Sequence, residues 1–314
     1  MNDDFISQQS VHSTSDFQSL DLHTPVLLQE AIEALDLKTG MTVLDATLGG
    51  GGHAFAICEK IGSAGTLIGM DADEDAVLRV ARLLREGKTR KMLRVENFRL
   101  LEDVLAALDI RRLNAALFDL GLSSFQLEAS GRGFSFERDE PLFMTFDAYP
   151  EHGGAMDILR TWTESDLVQI FKESDEKFPG RIARAIVERR RKARIESAKD
   201  LGEIVKDAVP SMAKRGRIHP ATKVFQALRM AVNGEMEALE TGLKVALMHL
   251  EVGGRLVVIS FHSGEDRIVK RFGKERENSG ELEIVTKKPI IPTDMEIVRN
   301  TRSRSAKMRV FKKR

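Results

Sequence analysis

Four consecutive glycines at positions 49–52 are the feature that most constrains how this 314-residue chain folds. The glycines follow a β-prone segment, residues 41–45, and precede a stretch of helical character from His53 to about Ile61. Glycine at such a strand-to-helix turn lets the backbone approach a ligand closely at the helix N-terminus. The pattern predicts the first strand, loop and helix of a Rossmann-like sheet.

The alternation of strands and helices continues beyond the glycines. A helix is predicted over residues 75–85, where apolar side chains recur on one face. This alternation indicates a parallel sheet. A hairpin of 282–286 with 307–311 predicts that the last strand returns antiparallel. The other predicted strands are 65–71, 92–95, 115–119 and 255–261.

The chain changes character after residue 124. Up to residue 217 the sequence predicts helices, one of them starting at a capping-box pattern in residues 163–166, and it predicts no strand. A long helix follows from His219, and Gly234 could break it. We therefore expect four segments: a flexible tail at 1–22, a first part of the core at 23–124, a helical insertion domain at 125–217 and a second part of the core at 218–314.

The charges of the chain are balanced in number but unevenly placed. Lys and Arg together number 48, as do Asp and Glu, so the net charge gives no sign of nucleic acid. Bases nevertheless crowd residues 181–194 and 299–314, which indicates either solvated surface or contacts with phosphates. The candidate RNA-binding residues are Arg189, Arg190, Arg191, Lys192, Arg304 and Lys307.

Cysteine content and hydropathy exclude several classes of protein. The single cysteine, Cys58, excludes an internal disulfide framework and a cysteine-rich zinc site, and no metal centre is predicted. No segment approaches the roughly 18 apolar residues that a membrane helix needs. The predicted setting is a reducing cytoplasm, without a membrane.

Asp45 bears on the choice between two classes of cofactor. It ends the strand that enters the glycine loop, where a dinucleotide would present its pyrophosphate and be repelled. S-adenosylmethionine has no phosphate and carries an ammonium and a sulfonium, so a carboxylate there is attractive. The glycine pattern alone also fits an NAD site, and Asp45 alone also fits a helix cap. The combination favours S-adenosylmethionine.

Further candidate residues follow predicted strands, where parallel sheets bind their ligands. Asp71 is placed to accept hydrogen bonds from ribose hydroxyls, although it could instead cap the next helix. Phe98 could stack on adenine or belong to the core. Asp119, His262 and Ser263 come at the ends of later strands and are the candidate catalytic residues.

Nine stretches of the sequence, in order from residue 23 towards the C-terminus, resemble the bacterial 16S ribosomal RNA cytosine-N4 methyltransferases, the RsmH/MraW family. The second of them contains both Asp45 and the glycine loop. The nine stretches are 23–28, 45–53, 119–124, 132–136, 219–222, 225–229, 258–263, 265–267 and 304–309.

The resemblance implies a class I S-adenosylmethionine-dependent methyltransferase fold with a helical insertion. It implies a cytosine in the decoding region of small-subunit ribosomal RNA as substrate, with that RNA or the assembled small subunit as partner. A homodimer is left open. The cofactor-binding residues that it implies are Gly51, Gly52, His53, Asp71, Phe98, Asp119 and Gln126.

The sequence departs from the family's pattern in three places. Phe125 stands where the family has proline, and Gly264 where it has leucine. Residues 141–147 read P-L-F-M-T-F-D instead of P-L-D-M-R-M-D, and so lack an acid and a base. These departures concern the substrate pocket rather than the residues implied for the cofactor.

Three functions are compatible with these sequence features to different degrees. The favoured one is N4-methylation of a ribosomal cytosine, in which Asp119 accepts an amine hydrogen while Ser123, His262 and Ser263 orient the base. The second is a non-catalytic RNA-binding or ribosome-assembly factor that keeps the fold. The third is an NAD-dependent oxidoreductase.

Overall fold

The computed structural model describes residues 25–147, 154–214 and 219–314. The predicted tail at 1–22, together with His23 and Thr24 of the first matching stretch, lies outside the described residues. The strands are β1 (Thr42–Asp45), β2 (Thr66–Asp71), β3 (Arg90–Val95), β4 (Leu113–Asp119), β5 (Leu250–Ser260), β6 (Leu282–Ile284) and β7 (Lys307–Lys313).

These strands form one mixed sheet in the order β3-β2-β1-β4-β5-β7-β6. Strands β1 to β5 run parallel, whereas β7 lies antiparallel to both β5 and β6. The predicted class I methyltransferase sheet, mostly parallel with a terminal antiparallel strand, is therefore confirmed.

Helices connect the strands and cover both faces of the sheet. None of those in the described ranges is long and apolar enough to cross a membrane. In chain order they are α1 (Leu28–Ala34), α2 (Gly52–Ile61), α3 (Glu74–Leu83), α4 (Leu101–Ala107), α5 (Ser124–Glu128), α6 (Ala155–Thr161), α7 (Glu164–Glu173), α8 (Pro179–Lys192), α9 (Ala198–Ala208), α10 (Ser211–Lys214), α11 (Ala221–Asn233), α12 (Glu235–His249), α13 (Ser263–Asn278) and α14 (Asp294–Arg299). Short 3₁₀ helices span Phe98–Leu100 and Thr301–Ser305.

Strand β4 shows why the sequences of the central strands are continuously apolar. Ala115 and Leu117 belong to one buried cluster, which includes Ile57 of α2. Ala116 and Phe118 belong to a second buried cluster, which includes side chains of α12. Successive residues of a strand point to opposite faces, and helices bury both faces of a doubly covered sheet. The sheet is thus held between two apolar layers.

The approach to β5 differs from the prediction. The preceding helix ends at His249, and β5 already begins at Leu250. Gly253 and Gly254, which were predicted to end the helix, lie inside the strand, beside a shift in its register against β4. The predicted break at Gly234 is confirmed, because this residue has a left-handed φ of +57° and separates α11 from α12.

The segment between β4 and α12 builds an apolar cluster of its own. Among its described residues, the only pairing of β type is an isolated bridge between Pro141 and Ser197. The buried residues Ala221 and Leu228 of α11 belong to this cluster. The packing of the helical region therefore extends beyond residue 217, where the sequence placed its end.

A buried ion pair fastens the helical region to the core. Nη2 of Arg132 lies 2.5 Å from Oδ2 of Asp73, the fully buried N-cap of α3. Nη1 of Arg132 donates to the carbonyl of Phe146 at 2.5 Å. Asn233 donates to the Met144 carbonyl and accepts the Phe146 N–H. These contacts hold the loop that carries Phe146.

Candidate active site

A cavity of about 710 Å³ opens at the carboxyl ends of β1, β2, β4 and β5. Parallel sheets bind their ligands at this edge, and the volume is ordinary for a small-molecule site. The cavity brings together most of the residues singled out from the sequence. Those that line it are Gly51, Gly52, His53, Asp71, Phe98, Asp119, Ser123 and Gln126.

Two positions at the start of α2 require glycine. Gly51 has φ +84°, a left-handed conformation that side chains rarely adopt. A Cβ atom on Gly52 would lie 2.2 Å from Cγ of Pro25, so the close packing of the preceding segment leaves no room for a side chain. The loop therefore presents bare backbone to the cavity.

Asp71 ties the glycine loop to the end of β2. Its Oδ2 accepts the Gly49 N–H at 2.8 Å, and its Oδ1 accepts the Asp73 N–H at 2.9 Å. Burial raises the pKa of Asp71 to about 6, opposed by these two hydrogen bonds. The alternative role as helix cap is wrong, because Asp73 caps α3. Asp71 lines the cavity, and its remaining lone pairs are available to hydroxyl groups of a ligand.

Phe98 is both a core residue and a wall of the cavity. Its ring packs edge to face on Phe118, with 5.5 Å between the ring centroids. A Cβ atom on Gly242 of α12 would lie 2.9 Å from Cδ2 of Phe98, so this helix supports the ring closely. The two alternatives left open by the sequence are therefore compatible.

Asp119 presents a carboxylate to the cavity at the end of β4. Its backbone N–H donates to Oγ1 of Thr47 at 2.6 Å, and its Oδ2 lies 3.4 Å from Nδ1 of His53. Its Oδ1 is buried and has no hydrogen-bond partner among the described residues. Leaving a buried polar atom unpaired costs free energy. This oxygen is therefore available to accept a hydrogen bond from a ligand.

Asp45 lies behind the cavity rather than in its lining. The side chain is fully buried; Oδ1 accepts the Thr47 N–H at 3.2 Å, and Oδ2 has no partner among the described residues. Burial raises the pKa of Asp45 to about 7, opposed first by the charge of His53. The carboxylate is therefore only partly ionised near neutrality. The carboxylate interacts with the charge of His53 inside the protein. A contact between Asp45 and the cofactor stays a prediction.

Gln126 and Ser123 form a capping box at the start of α5. The Gln126 side chain accepts the Ser123 N–H at 2.9 Å, and Oγ of Ser123 accepts the Gln126 N–H at 3.2 Å. Both residues line the cavity. This reciprocal cap fixes the segment that follows Asp119, so the two side chains shape the cavity whether or not they contact a ligand.

A group of buried charges lines another part of the cavity. Arg229 donates two hydrogen bonds of 2.7 Å to the Glu235 carboxylate. Glu265 accepts the Phe261 N–H at 2.7 Å, and its Oε1 lies 3.1 Å from Nε2 of His262. Glu235, Phe261 and Glu265 are lining residues to which the sequence gave no role.

The same group contains three side chains of types that bind metal ions. Ligand atoms of Glu235, His262 and Glu265 lie within 4.8 Å of one another. However, Nδ1 of His262 accepts the Glu265 N–H, so the ring proton belongs on Nε2, the nitrogen that faces Glu265. A protonated nitrogen does not bind a metal ion, and Arg229 already neutralises Glu235. These contacts favour an ion-pair network over a metal centre.

His262 and Ser263, the predicted catalytic residues after β5, are not lining residues of the cavity. His262 is the N-cap of α13. Ser263 is exposed, and its Oγ donates to Oδ2 of Asp175 at 2.5 Å. Both side chains thus have structural partners, and their part in orienting a base stays a prediction.

The basic end of α8 contains three exposed side chains, those of Arg189, Arg191 and Lys192. Arg190 differs from them, because its Nη1 donates to two backbone carbonyls at the end of α6, each at 2.7 Å. The predicted contact of Arg190 with phosphate therefore competes with an internal role, whereas the side chains of the other three make no hydrogen bond or ion pair among the described residues.

The two basic candidates near the C-terminus also differ. Arg304 is exposed. Lys307 lies on β7, where its Nζ is 3.2 Å from Oδ2 of Asp266. Asp266 also accepts from Nε of Arg309 at 2.7 Å. Lys307 is therefore half of a partly exposed ion pair, and Arg304 is the better placed of the two for a phosphate.

Two cavity residues could not be recognised from the sequence. The Arg79 guanidinium lies over the ring of Phe125, 4.1 Å from its centroid, and its Nη2 is buried without a partner among the described residues. Arg302 donates to Ser124 and Glu128. Both arginines line the cavity, yet they come from segments far apart in sequence. No spacing pattern marks such a pair.

The comparisons with known proteins agree with this geometry. The sequence model of the MraW methylase family matches residues 21–314. The chain belongs to the MraW methylase family. A ribosomal RNA small subunit methyltransferase H from Persephonella marina is 44% identical to it over 292 residues, 93% of this chain and 99% of that protein. A protein of the same name from Carboxydothermus hydrogenoformans is 42% identical over 307 residues, 93% and 97% of the two chains.

The family resemblance predicted from the nine stretches is thereby confirmed. Membership of a methylase family also removes the support for an NAD-dependent oxidoreductase, which rested on the glycine pattern alone. The methylase assignment no longer depends on a charge at Asp45. The choice left open is between a methyltransferase and a non-catalytic protein with the same fold.

Proposed function

We propose that this chain transfers the methyl group of S-adenosylmethionine to the N4 amino group of a cytosine in the decoding region of small-subunit ribosomal RNA. The observation that carries the proposal is the unpartnered Oδ1 of Asp119, held in a cavity beside a glycine loop. The two relatives described above support the RNA class of the substrate, since both are named for methylation of small-subunit ribosomal RNA.

The cavity fits the methyl donor in shape and charge. S-adenosylmethionine supplies an activated methyl group on a sulfonium and carries an ammonium, so carboxylates attract it. The bare backbone at Gly51 and Gly52 suits close approach, Asp71 suits the ribose hydroxyls, and Phe98 suits the adenine. The charged lining residues are Asp71, Arg79, Asp119, Glu128, Glu235, Glu265 and Arg302, and acids outnumber bases among them.

Asp119 suits the chemistry of a cytosine amine. That nitrogen is a poor nucleophile because its lone pair is delocalised into the ring. A carboxylate oxygen that accepts one of its hydrogens favours the attacking geometry and gains strength as positive charge develops. The reacting nitrogen and methyl carbon must lie about 3–3.5 Å apart, in line with the sulfur. Reaching this geometry requires the base to leave its stacked context.

We test the function by incubating the protein with labelled S-adenosylmethionine and either naked small-subunit RNA or assembled subunits, followed by nucleoside analysis. The expected product is N4-methylcytidine in one of the two substrates. RNA binding without transfer to either substrate would favour the non-catalytic assembly factor. Methylation of a different atom or base would refute the N4 assignment while keeping the methyltransferase.

Asp71→Ala is expected to weaken binding of S-adenosylmethionine by about 1.5–3 kcal/mol, the scale of hydrogen bonds lost from a charged group. The loss combines the ribose contact with the support that Asp71 gives to the Gly49 N–H. Titration calorimetry measures it. Asp103→Ala, at an exposed acid of α4, is the control and should bind normally. Tighter binding of NAD than of S-adenosylmethionine by the unaltered protein would overturn the cofactor proposal.

Charge reversal at the end of α8 tests the RNA interface. Replacing Arg189, Arg191 and Lys192 with Glu, while leaving Arg190 to its internal carbonyls, is expected to weaken RNA binding and flatten its salt dependence. Each lost phosphate contact lowers the slope of log K against log salt by about 0.7–0.9. A salt titration by fluorescence anisotropy measures both effects, and affinity for the methyl donor should not change.

The control for this interface is the triple reversal of Lys244, Lys270 and Lys274 to Glu. These lysines are exposed on α12 and α13, so the change in net charge is the same while the surface is different. RNA affinity that falls equally in both triple variants would show a general effect of net charge. Unchanged affinity in the α8 variant would leave its basic face as solvated surface.

A further inference from the structure

Three buried polar atoms have no hydrogen-bond partner among the described residues, and Thr47 joins two of the residues that carry them, because its N–H donates to Asp45 and its Oγ1 accepts the Asp119 N–H. The three atoms are Oδ2 of Asp45, Nε2 of His53 and Oδ1 of Asp119. Asp45 is 0% exposed and His53 is 4% exposed. His53 contacts Asp119 directly, with 3.4 Å between Nδ1 and Oδ2. Buried atoms of this kind are rare because each costs free energy, so three together call for an explanation.

We propose that Asp45, His53 and Asp119 act as one unit in the methyl-transfer step: His53 positions the Asp119 acceptor, and Asp45 controls the charge of the His53 ring. The inference rests on the proposed function, because it needs an amine hydrogen at Asp119. His53 acts through Asp119 and is a positioning residue.

The contact between His53 and Asp119 sets the direction of the acceptor. Nδ1 of His53 faces Oδ2 at 3.4 Å, which leaves Oδ1 for the amine. As N4 attacks, the nitrogen–carbon bond forms and the carbon–sulfur bond breaks, with its electron pair retained by sulfur. The proton that N4 sheds passes to Oδ1 of Asp119, whose charge it neutralises, and then leaves to solvent. One methyl group is transferred and one proton is released.

The charge of the His53 ring decides how strong an acceptor Asp119 is. Burial lowers the pKa of His53, but the hydrogen bond and charge of Asp119, with the charge of Asp45, raise it above its ordinary value. Below that pKa the ring is a cation that already compensates Asp119. Above it the ring is neutral and still donates from Nδ1. The rate of transfer should therefore rise with pH as the ring loses its proton.

The charged groups around His53 are carboxyl groups from three strands. Asp45 ends β1 and Asp119 ends β4, and each raises the pKa of the ring. Asp71 ends β2 and acts on Asp45 by raising its pKa. Because the charges of Asp45 and Asp119 both favour a proton on the His53 ring, removing the charge of Asp45 should shift the rise in rate to lower pH.

The test measures the single-turnover rate of transfer across the neutral pH range, with saturating donor and RNA. His53→Gln keeps an N–H donor that cannot titrate, so the rise with pH should disappear. The rate at high pH should fall only to the extent that the amide positions Asp119 less well than the ring does. Asp45→Asn removes a charge that favours the protonated ring, so the rise should move to lower pH.

The control is His249→Gln. His249 is also paired with an acid, its Nε2 lying 3.0 Å from Oε2 of Glu102, but it is not a lining residue of the cavity. This variant should keep the unaltered pH profile. Titration of the His53 ring by NMR gives a readout independent of activity, with a raised pKa that falls in Asp45→Asn.

An unaltered pH profile in His53→Gln would overturn the inference while leaving the methyltransferase proposal intact. A His53 ring that titrates at its ordinary pKa, and equally in Asp45→Asn, would overturn it as well. A protein that transfers no methyl group to RNA would refute the proposed function instead. The NMR titration would still decide whether Asp45 controls the ring.

Discussion

Asp119→Ala is expected to slow methyl transfer severely while the protein still folds and binds RNA. Among the described residues that line the cavity, Asp119 has the only buried carboxylate oxygen without a hydrogen-bond partner, and the substitution removes it. Loss of one group that stabilises charge in a transition state lowers the rate by about 10²–10³-fold, or about 3–4 kcal/mol. The measurement is the single-turnover rate with saturating donor and RNA.

A matched control exists at the end of a neighbouring strand. Glu96 follows β3 directly, is exposed and does not line the cavity, so Glu96→Ala should transfer at the unaltered rate. The titration of donor against rate separates two roles for Asp119. If Asp119 serves the donor's amino group, affinity for the donor falls and saturation restores the rate. A folded Asp119→Ala protein that is near the unaltered rate at saturation would exclude a catalytic role.

The sheet could be predicted because its signals are local. A strand such as β4 is buried on both faces, so its apolar run is continuous, and it ends in an acid at the edge where ligands bind. Asp71 and Asp119 were found by that rule alone, and both line the cavity. The position of a residue along a strand was therefore sufficient to place it near the site.

Position along the strand did not settle where each side chain points. Asp45 ends β1 as Asp119 ends β4, yet its carboxylate lies behind the cavity. His262 follows β5, but its ring turns back to cap α13. Asp45 pairs with Leu117, two residues before Asp119, so the two carboxylates share a face of the sheet but that of Asp45 lies further from its edge. Sequence patterns do not fix that register at the last residue of a strand.

Residues that meet only through tertiary packing could not be predicted at all. Glu235 reaches the cavity because α12 follows the helical region, and Phe146 because Arg132 and Asn233 hold its loop. No pattern in the spacing of residues along the sequence predicts either contact.

The departures from the family's pattern are explained in part by such contacts. Phe125 lies beneath the Arg79 guanidinium, and Phe146 stacks on Phe134 with 6.1 Å between the ring centroids. Thr145 donates from Oγ1 to the Asp147 carbonyl at 2.7 Å, within the same loop. Nothing in the structure explains the exchange of leucine for Gly264.

Arg132→Met is expected to be strongly destabilising although it lies outside the apolar core. Asp73 is fully buried, and Arg132 is the cation paired with it. Removing one partner of a buried ion pair leaves an uncompensated charge and costs about 3–5 kcal/mol. The free energy of unfolding in denaturant measures the loss. Arg138→Met breaks a long, partly exposed pair with Glu140 and should cost at most about 1 kcal/mol.

A second substitution identifies the source of that loss. Asparagine at position 73 still caps α3, since asparagine and aspartate are equally good N-caps, but it carries no charge. The double variant Arg132→Met/Asp73→Asn should therefore regain part of the stability lost by Arg132→Met alone. Equal instability of the double and single variants would show that the loss comes from the hydrogen bond of Arg132 to the Phe146 carbonyl. In that case the loop beside the cavity, rather than the buried charge, is what Arg132 stabilises.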